Sequence, residues 1–330
     1  MRRTNYWTSL GLLCVAVSFL SGCGGNAANP GAVARIAFLS DRTGNLDIWV
    51  VNSANGASFN VTNDPGGDDA FSWSPNGNKL AFLSDRDGDW DLWVINVNGT
   101  GLTQLTNNGG TKARPAWSPS GNLIAFEYNG DICVYNLTTS SAQNLTMGNG
   151  NNMMPCWSPS GTQIVFASDR GGNWDIWVMD ANGANVTQLT NDPQDEFRPV
   201  WSPNGQKIAF ERGSDVWVMD ANGANALNLT NGVGTVNRWA TWSPNSQSIA
   251  FERDGDIYRI DANGTGLVQL TNTGDNFSPH WSKSFAGNSS ITFMSARSGN
   301  PEIYVMAPNG TAVTNISNDT AVDELPIWSP

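Results

Sequence analysis

The sequence predicts an all-β fold: a seven-bladed β-propeller of four-stranded antiparallel blades, closed by pairing a C-terminal first strand with N-terminal strands. Three observations predict it. First, four phrases recur in fixed order: a Trp-Ser pair, an Ile-Ala-Phe strand core, an Asp-Ile-Trp-Val strand core and a short Gln-Leu-Thr strand. Second, the Trp members (Trp73, Trp117, Trp157, Trp201, Trp242, Trp281 and Trp328) recur roughly every 40 residues, the period of a four-stranded blade. Third, the phase is offset. The chain reaches Ile327-Trp328-Ser329-Pro330, where the pattern demands an Ile-Ala-Phe strand, and that strand stands instead at Ile36-Ala37-Phe38. A blade shared between the two ends removes the exposed edges of an open ring.

The columns give the blade number. Second-strand cores begin at Ile36, Leu80, Ile124, Ile164, Ile208, Ile249 and Ile291, and third-strand cores at Ile48, Leu92, Ile132, Ile176, Val216, Ile257 and Ile303. A six-bladed ring would leave one complete set of strands outside it.

Residue choice explains each strand and turn. Continuous β-branched and aromatic cores suit sheets packed on both faces. Between third and fourth strands stand Asp180-Ala181-Asn182-Gly183, Asp220-Ala221-Asn222-Gly223 and Asp261-Ala262-Asn263-Gly264, and Asn-Gly is a strong hairpin signal. Trp-Ser-Pro-Asn-Gly turns first strands into second ones, with Pro fixing φ and Gly supplying positive φ. In the phrase Ser-Asp-Arg before the third strand (Ser40-Asp41-Arg42, Ser84-Asp85-Arg86, Ser168-Asp169-Arg170) the Asp and Arg can close a loop by side-chain hydrogen bonds and an ion pair, and a rim role in stability is expected.

The N-terminus reads as an export signal over residues 1–22. Arg2 and Arg3 precede the apolar run Leu10 to Leu20, which is too short to span a bilayer as a helix. Leu20-Ser21-Gly22-Cys23 resembles the lipobox of bacterial lipoproteins, and the resemblance implies cleavage before Cys23 and its lipidation. Ordinary secretion with an incidental Cys is the alternative. Gly24 after the Cys, rather than Asp, would favour the outer membrane in a proteobacterium. Residues 23–32 are expected to be a lipidated flexible tether, and residues 33–330 a single propeller domain.

Net charge is −12, and −14 once Arg2 and Arg3 leave with the signal. An acidic surface repels phosphate backbones, so nucleic acid is a poor partner, and membrane association falls to Cys23 alone. Cys133 takes the usual Trp place of a third strand and Cys156 precedes Trp157. The pair is compatible with a disulfide between neighbouring blades or with two separate buried thiols.

The order Pro-x-Trp-Ser-Pro-x-Gly, Ile-Ala-Phe, Ser-Asp-Arg-x-Gly, Asp-Ile-Trp-Val, Leu-Thr resembles the WD40-like propeller repeat of the TolB family, over essentially the whole chain after the tether. TolB itself is a soluble periplasmic protein with an additional N-terminal domain and a propeller generally described as six-bladed. The resemblance therefore implies the fold and binding through one end of the ring, without implying TolB's particular partners.

Function is expected where the repeats differ. Loops leading into the first strands carry Asp68-Asp69-Ala70-Phe71, Lys112-Ala113-Arg114, Met153-Met154, Glu196-Phe197-Arg198, Arg238-Trp239, Asp275-Asn276-Phe277 and Asp323-Glu324-Leu325, and are predicted to ring the channel mouth. The opposite face repeats nearly identical turns. Phe71, Arg114, Phe197, Arg198, Arg238, Trp239 and Phe277 are the candidate ligand-binding residues, with Arg as carboxylate donors and Trp239 as an apolar anchor. The alternative is that aromatics plug the channel and charges are merely solvated.

Catalytic signals are sparse. The one histidine, His280, holds a strand position beside Trp281, and there is no Gly-x-Ser-x-Gly elbow, phosphate-loop Gly-Lys pair or His cluster. Resemblance to peptidase and lyase propellers implies a hydrolase domain or several histidines, and the repeats run to Pro330 with neither. Asp85, Asp87 and Asp89 form a calcium candidate, although their order does not complete an EF-hand loop. No cofactor is expected. The sequence thus points to a lipid-anchored envelope scaffold that binds a protein segment or glycan fragment. The alternative is a carbohydrate-active lyase or hydrolase built on Asp69, Glu196 and Glu324.

Overall fold

The computed structural model describes residues 34–232, 234–283 and 289–330. Its strands form seven four-stranded antiparallel sheets. Blades 2 to 7 run along the chain, with inner strands Asp68–Trp73, Lys112–Trp117, Asn152–Trp157, Glu196–Trp201, Asn237–Trp242 and Asn276–Trp281. Blade 1 joins the inner strand Asp323–Trp328 to Arg35–Ser40, Asp47–Asn52 and Ser58–Asn60. Ile36 pairs with Trp328 and Ser40 with Asp323, so the two ends do share a blade. Each blade packs on the next, and blade 7 on blade 1.

The expected signal segment, Cys23 and the tether lie outside the described residues. Among the described residues, no helix is long and apolar enough to cross a membrane.

The repeated phrases acquire distinct mechanical roles. Each second strand buries its Phe (Phe38, Phe82, Phe126, Phe166, Phe210, Phe251, Phe293) between sheets. The hydroxyl that follows each fourth strand caps the third strand, accepting the N–H of its first apolar residue: Ile48 to Thr62, Leu92 to Thr106, Ile132 to Thr146, and so on to Ile303 and Ser317. In every blade but the fourth that hydroxyl donates in turn to the carboxylate opening the third strand, as Thr106 does to Asp91 at 2.7 Å. This gives the repeating Asp-Ile-Trp-Val and Leu-Thr phrases a shared structural reason.

The Asp and Arg of the Ser-Asp-Arg phrase make the expected side-chain hydrogen bonds and ion pairs, with partners in and beside the inner strand. Asp41 accepts the Val322 N–H at 2.8 Å, so Arg42 turns to Asp323 in the inner strand, at 2.8 and 2.9 Å. Arg86 reaches Asp68 and Arg170 reaches Asn152 in the same manner, while Arg212 and Arg253, two positions earlier in the phrase, reach Glu196 and Asn237. Each guanidinium also lies over the second-strand Phe and third-strand aromatic ring. Arg42, for instance, stands 5.4 Å from the Phe38 centroid and 4.4 Å from that of Trp49. The Arg thus ties the inner strand to the aromatic middle of its own blade.

Candidate functional site

Every inner strand is broken by a bulge. Pairing with the second strand shifts register around Ala70, Arg114, Met154, Arg198, Trp239, Ser278 and Leu325. These seven residues adopt left-handed backbone, with φ from 43° at Ala70 to 61° at Trp239. The next residue is Pro in five of the blades: Pro115, Pro155, Pro199, Pro279 and Pro326. Proline fits there because the bulge lies on an edge strand, whose channel-facing side needs no ladder donor. Bulges re-aim side chains, and here Arg114, Met154, Arg198 and Trp239 are left half-buried while Ala70, Ser278 and Leu325 are buried.

Three of the ring's arginines meet glutamates from second strands. Arg114 donates to Glu127 at 2.8 and 3.1 Å, Arg198 to Glu211 at 2.8 Å, and Arg238 to Glu252 at 3.2 and 3.3 Å. Glu127 also accepts the Met154 N–H at 2.7 Å, and Glu211 the Trp239 N–H at 2.8 Å. Two glutamates therefore clamp the bulge of the next blade. Sequence reasoning missed all three, although Ile-Ala-Phe-Glu marks them: the residue after the second-strand Phe is Leu39, Leu83, Ala167 or Met294 elsewhere.

The mouth is electrically divided. Blades 1 and 2 contribute Glu324 and Asp69, whose carboxyls are both pushed upward by burial, with Asp69 and Asp41 adding to the shift at Glu324. Across the ring, blades 4 to 6 carry an aromatic and cationic arc. Trp174 and Phe197 contact with centroids 5.5 Å apart, and the Arg198 guanidinium lies 3.9 Å from the Trp239 ring centroid. Burial also raises the Glu252 carboxyl to about 7, opposed by Arg238 and reinforced by Glu211.

The predicted residues separate clearly. Phe197, Arg198 and Trp239 are half-buried within the arc, Arg238 is exposed, and Phe277 is half-buried in blade 7. Arg114 is largely enclosed beside Glu127. Phe71 is 1% exposed and packs into the core between blades 1 and 2, so it offers no surface to a ligand. Of the three candidate catalytic acids, Asp69 and Glu324 are neighbours, while Glu196 is sealed in the wall of blade 5, 2.6 Å from Arg212. His280 is buried in blade 7, where its Nδ1 accepts the Trp328 N–H at 3.3 Å.

Asp85 accepts the Gly67 N–H at 2.6 Å and Asp87 accepts from Gln104. Among the described residues no three of His, Cys, Asp or Glu converge as a metal-holding group. Cys133 is a buried free thiol, so it forms no bond to Cys156.

Seven closed blades with a bulged inner ring define the β-propeller class. Within it the chain belongs to the TolB β-propeller domain family, whose profile matches residues 15–131 and 127–256. No curated protein matches the chain. Among solved structures it is similar to TolB from Acinetobacter baumannii, with 18% identity and a TM-score of 0.56 over 91% of this chain and 84% of that one. An oligogalacturonate lyase in complex with manganese gives 16% identity and a TM-score of 0.64 over 87% of this chain and 83% of that one. A puromycin hydrolase gives 15% and 0.67 over 90% of this chain but only 55% of that one. At these identities the likeness is one of fold.

Proposed function

We propose that the chain is a non-catalytic binding scaffold of the cell envelope that grips a protein segment at its channel mouth. The observation carrying this reading is the bulge ring: one backbone geometry, repeated seven times, holds half-buried Arg114, Met154, Arg198 and Trp239 in four consecutive blades. The opposite face repeats one turn chemistry. Membership of the TolB propeller family supports a binding role. Lipidation at Cys23 would hold the domain at a membrane outside the cytoplasm, since acyl burial contributes about 0.8 kcal/mol per methylene.

The lyase or hydrolase reading is weaker. Of its three acids Asp69 and Glu324 are neighbours, but Glu196 is committed to Arg212 inside the blade wall.

A photo-crosslinking residue at Trp239, compared with one at Asn222 on the opposite face, tests the reading in native envelopes. We expect a discrete protein adduct from position 239 alone, in the membrane fraction, with Cys23→Ser moving the protein to the soluble fraction. Equal adducts from both positions would overturn the choice of face. A soluble parent protein would overturn the anchor.

A further inference from the structure

The three glutamates at the mouth occupy equivalent second-strand positions but are not equally satisfied, because Arg114 and Arg198 are bulge residues whereas Arg238 precedes the bulge residue Trp239 and pairs across the strands with Glu252. Glu127 and Glu211 each take an arginine and a backbone N–H from the next blade. Among the described residues Glu252 takes only Arg238. Both Arg238 donors converge on Oε1, at 3.2 and 3.3 Å, longer than the 2.7–2.9 Å typical of ionic hydrogen bonds, and buried Oε2 has no partner among those residues. The Arg238 side chain is 45% exposed, whereas that of Glu252 is 1% exposed. The mouth therefore holds one loosely bound, solvent-facing guanidinium over a sealed and half-satisfied carboxylate.

We propose that Arg238 is the receptor for a carboxylate on the bound peptide segment, and that this carboxylate displaces Glu252, which takes up a proton on release. The inference rests on the mouth being the binding face. Its chemistry follows from the charges around Glu252: Arg238 in its own blade, and Glu211 and Arg198 from blade 5. Once Arg238 turns to a ligand, Glu252 is left buried beside another glutamate whose own arginine is engaged. A buried carboxylate without a partner is costly to keep charged and neutralises instead. Burial already holds this carboxyl at about 7, so the proton is available near neutrality.

A peptide fits the arc better than a sugar. The guanidinium of Arg198 covers one face of Trp239, and Trp174 and Phe197 contact at an interplanar angle of 43°, so the arc presents edges and apolar corners instead of a flat stacking platform. Such surfaces suit an acidic residue flanked by apolar ones.

The test is selection of a random dodecapeptide phage library on the full chain at pH 6, followed by affinity measurements with the synthesised peptides from pH 6 to 8. We expect enrichment of Asp or Glu beside apolar residues, and at least tenfold weaker binding to Arg238→Ala, with partial recovery in Arg238→Lys. Affinity should fall toward a limit of about tenfold per pH unit above neutrality, the slope for uptake of one proton. Glu252→Gln should bind tightly with no such slope. Peptides that need Trp239 but lack a common carboxylate, or that bind equally to Arg238→Ala, would overturn this inference and leave the mouth as the binding face. Parallel pH profiles for wild type and Glu252→Gln would also overturn it. If no selected peptide depends on any mouth residue, both readings fall. An oligogalacturonate probe that binds through Arg238 when no peptide is enriched would overturn the peptide assignment.

Discussion

The ammonium of Lys112, in the inner strand of blade 3, lies 2.9 Å from the carboxylate of Asp91 in blade 2, with both side chains essentially inaccessible. Six blades fill the corresponding space with an arginine stacked on two rings. Blade 3 has Tyr128 at the arginine position of blades 5 and 6, and Cys133 where a third-strand aromatic usually stands. The cation has moved from the second strand to the first, 5.6 Å from the Tyr128 centroid. The charge is kept and its backbone origin exchanged.

Breaking a buried pair by removing one partner typically costs about 3–5 kcal/mol. Lys112→Met should therefore lower unfolding stability by about that amount in urea titrations. The double variant Lys112→Asn, Tyr128→Arg rebuilds the Asn237–Arg253 arrangement of blade 6 and should recover at least half the loss. Equal instability of both variants would show that blade 3 does not accept the common pattern.

The bulge makes a second prediction at Ala70, which is buried at φ 43°. Ala70→Gly relieves the left-handed strain of about 1 kcal/mol but enlarges the unfolded ensemble by about the same amount, so stability should change by less than about 0.5 kcal/mol. Ala70→Val puts a β-branched side chain on that backbone and should cost about 2 kcal/mol or more. Chemical denaturation of the two variants checks the contrast. Equal effects would mean that local packing, and not backbone geometry, governs the position.

The strand columns were legible because two-faced burial forces the same apolar residues into each blade, and the shared blade followed from the phase of Trp328 against Ile36. The bulge was written as Pro-x-Trp but has no hydrophobic signature. An inserted residue shifts the alternation of everything before it. Phe71, by contrast, follows the bulge residue Ala70 in the place that Pro takes in five blades, so it does not share the setting of Phe197 and Phe277 and lies in the core. Arg114, Arg198 and Arg238 were identifiable as mouth residues, but their glutamate partners lie at strand positions that hold apolar residues in other blades. The cross-strand register sets Glu252 opposite Arg238, but it sets Glu127 opposite Ala113 and Glu211 opposite Phe197, and these two meet the bulge arginine that follows.

Ring closure rests on contacts between residues 281 positions apart, among them the paired hydrogen bonds from Arg42 to Asp323. Arg42→Ala removes one partner of a nearly buried pair and should cost about 3 kcal/mol while leaving a monomer. Deleting residues 323–330 should do more, exposing the edge of Arg35–Ser40 to pairing with other chains. Sedimentation velocity should show oligomers for the deletion alone. A monomeric, cooperatively folding deletion would show that six complete blades suffice.

The pH dependence of stability follows from two opposing groups. The Glu252 carboxyl is held at about 7 by burial, above its ordinary 4.5, so the folded state binds its proton more tightly. Its contribution to stability therefore falls as pH rises from about 4.5 through 7. His280 works the other way. Burial, with Lys283 adding, holds its imidazole at about 3, so the unfolded chain takes up a proton below about 6.5 that the folded chain refuses, and stability falls as pH drops through that window. Between pH 6.5 and 8 the unfolded histidine completes its titration and burial holds the Lys283 ammonium at about 8, so both add to the curve, and comparison with Glu252→Gln cancels them and isolates Glu252. Asp68, held at about 6, is already mostly ionised there. The wild type should lose on the order of 1 kcal/mol relative to Glu252→Gln across that interval, measured by urea denaturation at both pH values. If the two proteins keep a constant difference, Glu252 is ionised throughout and its pairing with Arg238 is tighter than the long hydrogen bonds imply.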